Sequence, residues 1–354
     1  MDPLNIADYE RVASELLEPG PLAYYAGGAA DEHTLRANVA AWSDYELCPR
    51  VLVDVSRIDT RTTVLGTEIA QPVIVAPVAL QKMATAEGER DMARGAAAAN
   101  TIMTLSTIAT ATLREVAEAA PGAPRWFQVY VFRDRGVTQA LVDEAVDCGF
   151  EALVVTVDAP VPGHRERDLR LGFAVPEGVD VPAVSAARGT TGERIGPGEI
   201  LGLIDPALSW RDVEALTAQW PLPVLIKGIQ TAADATLAAD IGVAGIVVSN
   251  HGGRQLDTVA PTARMLPRIV DAVGERTEVL VDGGIRRGSD IATALALGAR
   301  AVLVGRPALY GLAVDGAAGV ARVVEILRAE LRTAMTLLGT PTVADITSEH
   351  VRAP

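Results

Sequence analysis

Eight short runs of apolar, largely β-branched residues recur along the chain, separated by amphipathic segments that often begin after a polar residue and end near glycine. Successive runs start 28, 24, 27, 72, 21, 33 and 23 residues apart, and a strand, a helix and two loops of a parallel sheet need about 20 to 30 residues. Such apolar strands are expected where helices cover both faces of a sheet. The runs are VIVAP from Val73, TIMTL from Thr101, RWFQVYV from Arg125, ALVVTV from Ala152, VLIK from Val224, GIVVS from Gly245, EVLV from Glu278 and AVLV from Ala301.

This repetition predicts an α/β fold, a (β/α)8 TIM barrel. A doubly wound open sheet is the competing architecture, but no G-x-G-x-x-G motif follows the first strand. We expect one domain over residues 1–354, with a helical N-terminal segment (1–72), the barrel (73–315) and a C-terminal helix and tail (316–354). The long connection after the fourth strand contains AARGTTGERIGPG, and we expect it to be a partly mobile loop over the site.

Charge and cysteine content argue against several classes of protein. With 31 Lys and Arg against 45 Asp and Glu, the net charge of −14 disfavours nucleic acid and anionic membranes as partners. Cys48 and Cys148 have no CxxC motif or histidine cluster nearby, which predicts no metal site and favours a reducing, cytoplasmic setting. No stretch approaches the ~20 apolar residues of a membrane span, and neither an export signal nor a peroxisomal address is expected.

Polar and titratable residues follow the predicted strands at their carboxyl ends, where a barrel of this type carries its active site. Because these ends share one rim, we expect the side chains to converge on a single pocket. In chain order the candidates are Ala76, Pro77 and Ala79; Ser106; Gln128 and Tyr130; Thr156, Asp158 and Arg165; Lys227; Ser249, His251 and Arg254; Asp282, Gly283, Gly284 and Arg286; and Gly305 and Arg306.

Two glycine-rich stretches, DGGIRRG and VGRP, follow the seventh and eighth strands, the usual place of a phosphate site in such barrels. Their glycines expose backbone N–H groups, and Arg306 adds a positive charge. The alternative interpretation is a tight turn made by Gly283 and Gly284 beside a solvated arginine.

The positions of Lys227 and His251 suggest catalytic chemistry. Lys227, one of two lysines, follows the fifth strand and offers a compact ammonium for a ring carbonyl or an enolate; the alternative is a lysine stem packed on the barrel rim. His251 lies in SNHGGRQLD between a strand end and two glycines, three residues before Arg254. A lone histidine is often structural, but this setting favours a general base beside a carboxylate anchor.

The chain carries SNHGGRQLD together with APVALQKMATAEGE, LSTIAT, WFQVYV, TVDAP and LVDGGIRRGSDIATALALGARAVLVGRP. From about Tyr9 to Leu338 it resembles the FMN-dependent L-2-hydroxy acid oxidase family of glycolate, lactate and (S)-mandelate-oxidising enzymes. The resemblance implies FMN as cofactor, oxidation of an L-2-hydroxy acid to the 2-keto acid, and reduction of O2 to hydrogen peroxide. It also suggests a homotetramer.

The resemblance implies a role for each matching residue. The catalytic and substrate-binding residues would be His251 as the base, Asp158 stabilising its imidazolium form, Arg254 and Arg165 holding the carboxylate, Tyr24 and Tyr130 bonding the carboxylate and the reacting hydroxyl, and Lys227 beside flavin N1 and O2. The isoalloxazine would be lined by Ala76, Pro77, Val78, Ala79, Ser106, Gln128, Thr156 and Ser249, and the ribityl phosphate would be held by Asp282, Gly283, Gly284, Arg286, Gly305 and Arg306.

Three of these residues have a structural alternative. Tyr24 could be a helix-end aromatic paired with Tyr25, Asp158 a cap on the long loop, and Arg165 one charge in the solvated run GHRERDLR.

Two positions depart from the family pattern. Ile108 stands where many members have an aromatic residue, and Pro162 where glycolate oxidases tend to have leucine. The smaller Ile108 is expected to enlarge the substrate pocket and argues against a strict glycolate preference.

Other functions remain open at this stage. The long loop lacks the apolar insert of membrane-bound mandelate dehydrogenases, and 72 residues before the first strand are too few for a haem domain plus the N-terminal helices. An oxidase is therefore the simplest interpretation. The alternatives are an FMN dehydrogenase with a quinone or protein acceptor, a lactate 2-monooxygenase-like enzyme, and a catalytically silent flavin- or phosphate-binding barrel.

Overall fold

Eight parallel strands form a closed barrel, which confirms the predicted fold. The computed structural model describes residues 3–190 and 197–353, with only the backbone of residues 197 and 198. The strands are β1 Val73–Val75, β2 Met103–Leu105, β3 Arg125–Val129, β4 Ala152–Thr156, β5 Val224–Ile229, β6 Gly245–Val248, β7 Glu278–Asp282 and β8 Val302–Val304. Each strand pairs with the next in the chain, and β8 closes the barrel onto β1.

Helices surround the barrel and precede it. Within the described residues they are α1 Ile6–Leu16, α2 Pro19–Ala26, α3 His33–Ala40, α4 Glu89–Ala98, α5 Leu113–Ala119, α6 Arg135–Asp147, α7 Glu166–Arg170, α8 Pro182–Ala187, α9 Pro197–Leu203, α10 Trp210–Gln219, α11 Ala232–Asp240, α12 Thr262–Val273, α13 Gly288–Ala296 and α14 Arg306–Leu338, with 3₁₀ turns at Ala41–Asp44, Gln81–Met83, Val343–Asp345 and Ser348–His350. Helix α14 is bent at Asp315 and Gly316 and packs against α1, α4 and α13. None of the described helices combines the length and apolarity of a membrane span.

Side chains alternate along each strand between the barrel interior and the surface under the helices, because successive strand residues point to opposite faces. On β5, Leu225 belongs to the interior cluster and Ile226 to the cluster under the helices. The interior therefore holds its own apolar filling, made by Ile74, Ile102, Trp126, Val154, Leu225, Val247, Leu280 and Leu303.

The N-terminal segment is helical only as far as Asp44, so the prediction of a helical segment over residues 1–72 is wrong for its last part. Thr62–Val64 pairs antiparallel with Thr67–Ile69. Leu65 and Gly66 turn the hairpin with φ of +47° and +84°, as a two-residue hairpin loop requires. Val64 next to the turn and Ile69 at the open end of the hairpin join the interior cluster, so the hairpin packs against the amino end of the barrel. A second short pairing joins Glu46–Leu47 to Val351–Arg352.

The connection from β4 to β5 was expected to be a loop, but it contains helices α7, α8, α9 and α10. Buried apolar side chains explain this difference, since Val184 on α8 and Ile200 on α9 pack into the main core. A capping box formed by Ser209 and Asp212 starts α10. The mobility expected for AARGTTGERIGPG concerns residues 186–198, of which 191–196 lie outside the described residues.

Candidate active site

Four polar residues at the carboxyl end of the barrel follow the inward and outward alternation of side chains along their strands. Each stands two positions after an apolar interior residue, so its side chain points inward, one layer above the apolar filling. All of them line one pocket at this end of the barrel. The pairs are Trp126 and Gln128 on β3, Val154 and Thr156 on β4, Leu225 and Lys227 on β5, and Leu280 and Asp282 on β7.

The Lys227 ammonium is buried at the base of this pocket. Its Nζ lies 3.2 Å from Asp282 Oδ2 and donates to Ser249 Oγ at 3.0 Å. Burial lowers the pKa of Lys227, but Asp282 and Asp158 outweigh that effect and hold it above its ordinary value. The pocket therefore carries a positive charge at neutral pH.

His251 and Asp158 form a hydrogen-bonded pair. Nδ1 of His251 lies 2.8 Å from Asp158 Oδ1, and the carboxylate is 3% exposed against 25% for the imidazole. Because a carboxylate only accepts, Nδ1 carries the proton and Nε2 keeps its lone pair. His251 adopts φ of +58°, and its backbone N–H donates to Ser249 Oγ at 3.0 Å. The ring is thus held in one tautomer at a sharp turn.

Electrostatics keep the imidazole neutral and the carboxyl ionised. Burial lowers the pKa of His251; Asp158 opposes this effect, and Lys227 and Arg254 add to it. Burial raises the pKa of Asp158, but His251 and Lys227 outweigh it and hold that pKa below its ordinary value. A neutral imidazole beside an ionised carboxylate can act as a general base at neutral pH.

The carboxyl end of α2 holds Arg254. Its Nη1 donates to the backbone oxygen of Tyr24 at 2.5 Å and to that of Gly27 at 3.0 Å, where the partial negative charge of a helix end favours a cation. Burial and the nearby Arg165 lower the pKa of Arg254 to about 9, so the guanidinium remains charged at neutral pH. Among the described residues Nε and Nη2 have no protein acceptor, which leaves two parallel N–H groups for a carboxylate.

Arg165 reaches the same place from the connection between β4 and β5. Its guanidinium lies 5.6 Å from the centre of the Tyr24 ring, and that of Arg254 lies 5.0 Å from it. The Arg165 side chain is 14% exposed, whereas Arg170 in the same charged run is 74% exposed. The aromatic ring of Tyr24 therefore lies within reach of two cations at one end of the pocket.

Tyr130 lines this end too, and Thr107 fixes its backbone. Thr107 Oγ1 donates to the backbone oxygen of Gln128 at 2.6 Å and accepts the Tyr130 N–H at 3.1 Å. Burial raises the pKa of Tyr130, and the neighbouring Asp158 and Tyr24 raise it further. The phenol is therefore protonated and able to donate a hydrogen bond.

A glycine-rich rim after β7 and β8 also lines the pocket. Gly283 and Gly284 have φ of +96° and +84°, and a Cβ on Gly284 would lie 1.8 Å from the backbone oxygen of Asn38. Only glycine fits there, which brings the backbone close to the pocket. Helix α14 starts at Arg306 without a side-chain cap, so its first N–H groups are free to bind an anion. Arg286 and Arg306 line this rim, and the Arg306 guanidinium donates to the backbone oxygens of Gly27 and Gly252.

The model of the FMN-dependent dehydrogenase family matches residues 13–353. The chain belongs to this family. Its relatives include glycolate oxidase 3 of Arabidopsis thaliana, 44% identical over 99% of this chain and 96% of the relative, and the L-lactate oxidase of Nostoc sp., 47% identical over 97% and 96%. A solved mandelate oxidase variant with (S)-mandelic acid is 41% identical with a TM-score of 0.90, covering 99% of this chain and 98% of that one. A flavocytochrome b2 variant with sulfite bound is 38% identical with a TM-score of 0.89, covering 100% and 88%. The predicted family resemblance is thereby confirmed.

The cofactor of this family member is FMN, and the pocket suits it. Three polar atoms that line it are buried without a hydrogen-bond partner: Gln128 Nε2, Thr156 Oγ1 and Asp282 Oδ1. Leaving such groups unpaired is costly, and the carbonyl and ring N–H groups of a flavin would satisfy them. The glycine rim with its two arginines offers a place for one phosphate. The pocket and its open mouth together hold about 1200 Å³ of space, part of which is open to solvent.

Most site residues predicted from the sequence line this pocket. Two lie behind it, namely Asp158, which bonds His251, and Ser249, which bonds Lys227. The predicted residues that line it are Tyr24, Ala76, Pro77, Val78, Ala79, Ser106, Ile108, Gln128, Tyr130, Thr156, Arg165, Lys227, His251, Arg254, Asp282, Gly283, Gly284, Arg286, Gly305 and Arg306.

Sequence reasoning missed several lining residues. Leu201 on α9 had no motif that could have found it. Tyr25 lines the pocket with its neighbour Tyr24, and its hydroxyl donates to the Leu80 backbone oxygen at 2.6 Å. The other missed residues lie within three positions of predicted ones along the chain, and that closeness is the signal available: Gly252, Ile285, Leu303, Val304, Pro307 and Leu309.

Proposed function

We propose that this FMN enzyme oxidises an L-2-hydroxy acid to the 2-keto acid and transfers the electrons to O2, which yields hydrogen peroxide. One observation supports this most strongly: the His251–Asp158 pair and the guanidinium of Arg254 serve the same pocket. A base and a carboxylate anchor are what the oxidation of a hydroxy acid requires. The names of the relatives, which include glycolate and lactate oxidases, agree with this proposal.

In this mechanism the substrate carboxylate binds Arg254 and Arg165, and the Tyr24 hydroxyl donates to it. Tyr130 donates a hydrogen bond to the reacting hydroxyl. Held in this way, the substrate places its reacting carbon near His251, and fixed orientation removes a large part of the barrier.

His251 Nε2 accepts the proton that the substrate loses. The imidazolium that forms is stabilised by Asp158, which is already ionised and bonded to Nδ1. When bound, FMN supplies the redox chemistry, taking two electrons from the substrate and giving them to O2. The buried Lys227 places positive charge where negative charge develops on reduction, and this is electrostatic stabilisation by a group already in position.

The cofactor would be held along the length of the pocket. In our proposal the flavin ring would be held by the loop after β1, at Ala76, Pro77, Val78 and Ala79, and by Ser106, with support from Ser249 through Lys227. The ribityl chain and phosphate would be held by Asp282, Gly283, Gly284, Arg286, Gly305 and Arg306.

A substrate panel under air tests the function. We expect keto acid and hydrogen peroxide in a 1:1 ratio from at least one of glycolate, L-lactate and (S)-mandelate, and FMN rather than FAD after denaturation. Keto acid formed only with an artificial acceptor would favour a dehydrogenase, the alternative suggested by the likeness to flavocytochrome b2. A decarboxylated product would favour a monooxygenase, and FMN binding without turnover a silent barrel.

We further propose a cytoplasmic homotetramer. Both cysteines, Cys48 and Cys148, are free thiols, which is compatible with a reducing compartment. Sedimentation of the FMN-loaded protein would give the subunit number, and a monomer at micromolar concentration would contradict this proposal.

A further inference from the structure

Strand β5 contains an irregularity directly after Lys227. Lys227 pairs with Val247 of the neighbouring strand β6, and the next pair along is Ile229 with Val248. Gly228 is therefore an extra residue, a β-bulge, and it has φ of +112°. Such a backbone conformation favours glycine.

The bulge changes which way the following side chain points. Leu225 lies in the barrel interior and Lys227 faces the pocket, so a regular strand would send Ile229 inward as well. Ile229 instead belongs to the core under the helices. Because of this one extra residue, Lys227 is the last side chain of β5 that points into the barrel.

Gly228 also touches the catalytic pair from behind. A Cβ on Gly228 would lie 2.7 Å from Cβ, 2.8 Å from Cγ and 2.9 Å from the backbone nitrogen of Asp158. These atoms cannot move aside as the end of a flexible side chain would. Because Gly228 has no side chain, the Asp158 side chain can occupy this space, and from there its carboxylate bonds His251.

We propose that Gly228 is a positioning residue that sets the Asp158 carboxylate against His251 Nδ1, while its bulge turns Ile229 away from the pocket. The role rests on the proposed function, because it matters only if His251 is the base. Gly228 touches no substrate atom and acts through Asp158.

The charges around His251 determine what displacement of Asp158 would do. Facing the imidazole are Asp158 after β4, Lys227 on β5 and Arg254 on its own loop, one anion and two cations. Asp158 alone of these groups raises the pKa of His251. If the carboxylate moves away, that pKa falls, so the acid limb of the kcat/KM profile shifts to lower pH and the base becomes weaker.

The test is Gly228→Ala in the FMN-loaded enzyme, with Gly242→Ala as the matched control. Gly242 also has positive φ, +75° against +112° for Gly228, but no atom lies within 4 Å of a Cβ placed there, so the control adds an alanine at positive φ without the collision. Selective ¹⁵N labelling of the four histidines gives the titration of His251, identified by its loss in His251→Gln. This measurement needs no turnover.

For Gly228→Ala we expect the His251 titration to fall by about one pH unit. Its kcat/KM should fall by about 10- to 100-fold, since small displacements of catalytic groups have such effects. Gly242→Ala should change neither quantity. An unchanged His251 titration in a folded Gly228→Ala variant would overturn the proposal. A wild-type enzyme that oxidises no hydroxy acid would instead contradict the proposed function and leave the titration result standing.

A stability comparison keeps the proposal testable if Gly228→Ala folds poorly. Asp158→Gly removes both side-chain atoms that the new methyl group would strike. We expect Gly228→Ala to lower the urea midpoint less in the Asp158→Gly background than in the wild type. An equal loss in both backgrounds would show that Asp158 is not what Gly228 accommodates.

Discussion

The two ends of the pocket are built in different ways. One end, proposed for the flavin and called the cofactor end, contains Gln128, Thr156 and Lys227, which lie one alternation step above the apolar filling of the barrel, so strand geometry places them. At the substrate end Tyr24 on α2 meets Arg254, 230 positions later in the chain, and backbone oxygens of α2 fix the guanidinium. The first end follows from local periodicity, whereas the second depends on long-range packing.

The two ways of building the pocket suit two different tasks, holding the cofactor and selecting the substrate. A parallel barrel places its inward residues on strands paired on both sides, which suits a cofactor that is the same whatever the substrate. The substrate end is assembled from connecting segments, which accept substitution more easily than strands do. Substrate preference can therefore change there while FMN binding is retained, and each of the following variants tests one side of that separation.

The largest expected effect is that of His251→Gln. We expect FMN to remain bound while reduction by substrate falls by at least ~10²–10⁴-fold, the usual contribution of a general base. Anaerobic stopped-flow absorbance of the flavin measures this rate, and the flavin content of the purified variant provides the control. Rapid reduction in this variant would show that another residue is the base.

Arg254→Lys tests the anchor at the substrate end. A guanidinium grips a carboxylate through two parallel N–H bonds and an ammonium cannot, so we expect a loss of about 2 to 4 kcal/mol in transition-state binding. Steady-state kcat/KM for the preferred hydroxy acid measures it. A decrease of less than threefold would mean that the anchor is misassigned.

The contrast between the two ends also decides what could be predicted from sequence. The observed strands start within two residues of the predicted positions, because buried apolar runs repeat along the chain. Lys227 and Asp282 could be predicted as site residues because they stand at the carboxyl ends of these runs. Leu201 and Asn38 could not be predicted, since both act through contacts between distant segments. The hairpin at Leu65 could not be predicted, because its strands are only three residues long and the whole stretch before the barrel was expected to be helical.

Ile108→Trp is expected to change substrate preference at the substrate end alone. Ile108 is 4% exposed and lines the pocket. The room it leaves should favour L-lactate, a longer aliphatic 2-hydroxy acid or (S)-mandelate over glycolate, by roughly 10- to 200-fold in kcat/KM. The larger tryptophan should narrow or reverse that order with FMN affinity unchanged.

Comparing kcat/KM for glycolate, L-lactate and (S)-mandelate in both forms checks this expectation. If the wild type prefers glycolate, other pocket residues such as Leu201 close the space and Ile108 is ordinary packing; Pro162 is exposed and does not line the pocket. Weaker FMN binding in Ile108→Trp would instead show that the two ends are not separable at this position.

The smallest expected effect tests whether the strand-end residues need support from a neighbouring loop. Thr107 after β2 is 1% exposed and bonds the backbone of both Gln128 and Tyr130 on the β3 side. Thr107→Val has a similar shape but leaves the Gln128 oxygen and the Tyr130 N–H unpaired, which costs about 1–3 kcal/mol of the free energy of unfolding. Thr107→Ser keeps the hydroxyl and should recover most of that loss. Urea unfolding of the FMN-loaded variants measures the difference, and equal stability of the valine and serine forms would mean that strand geometry alone positions Gln128 and Tyr130.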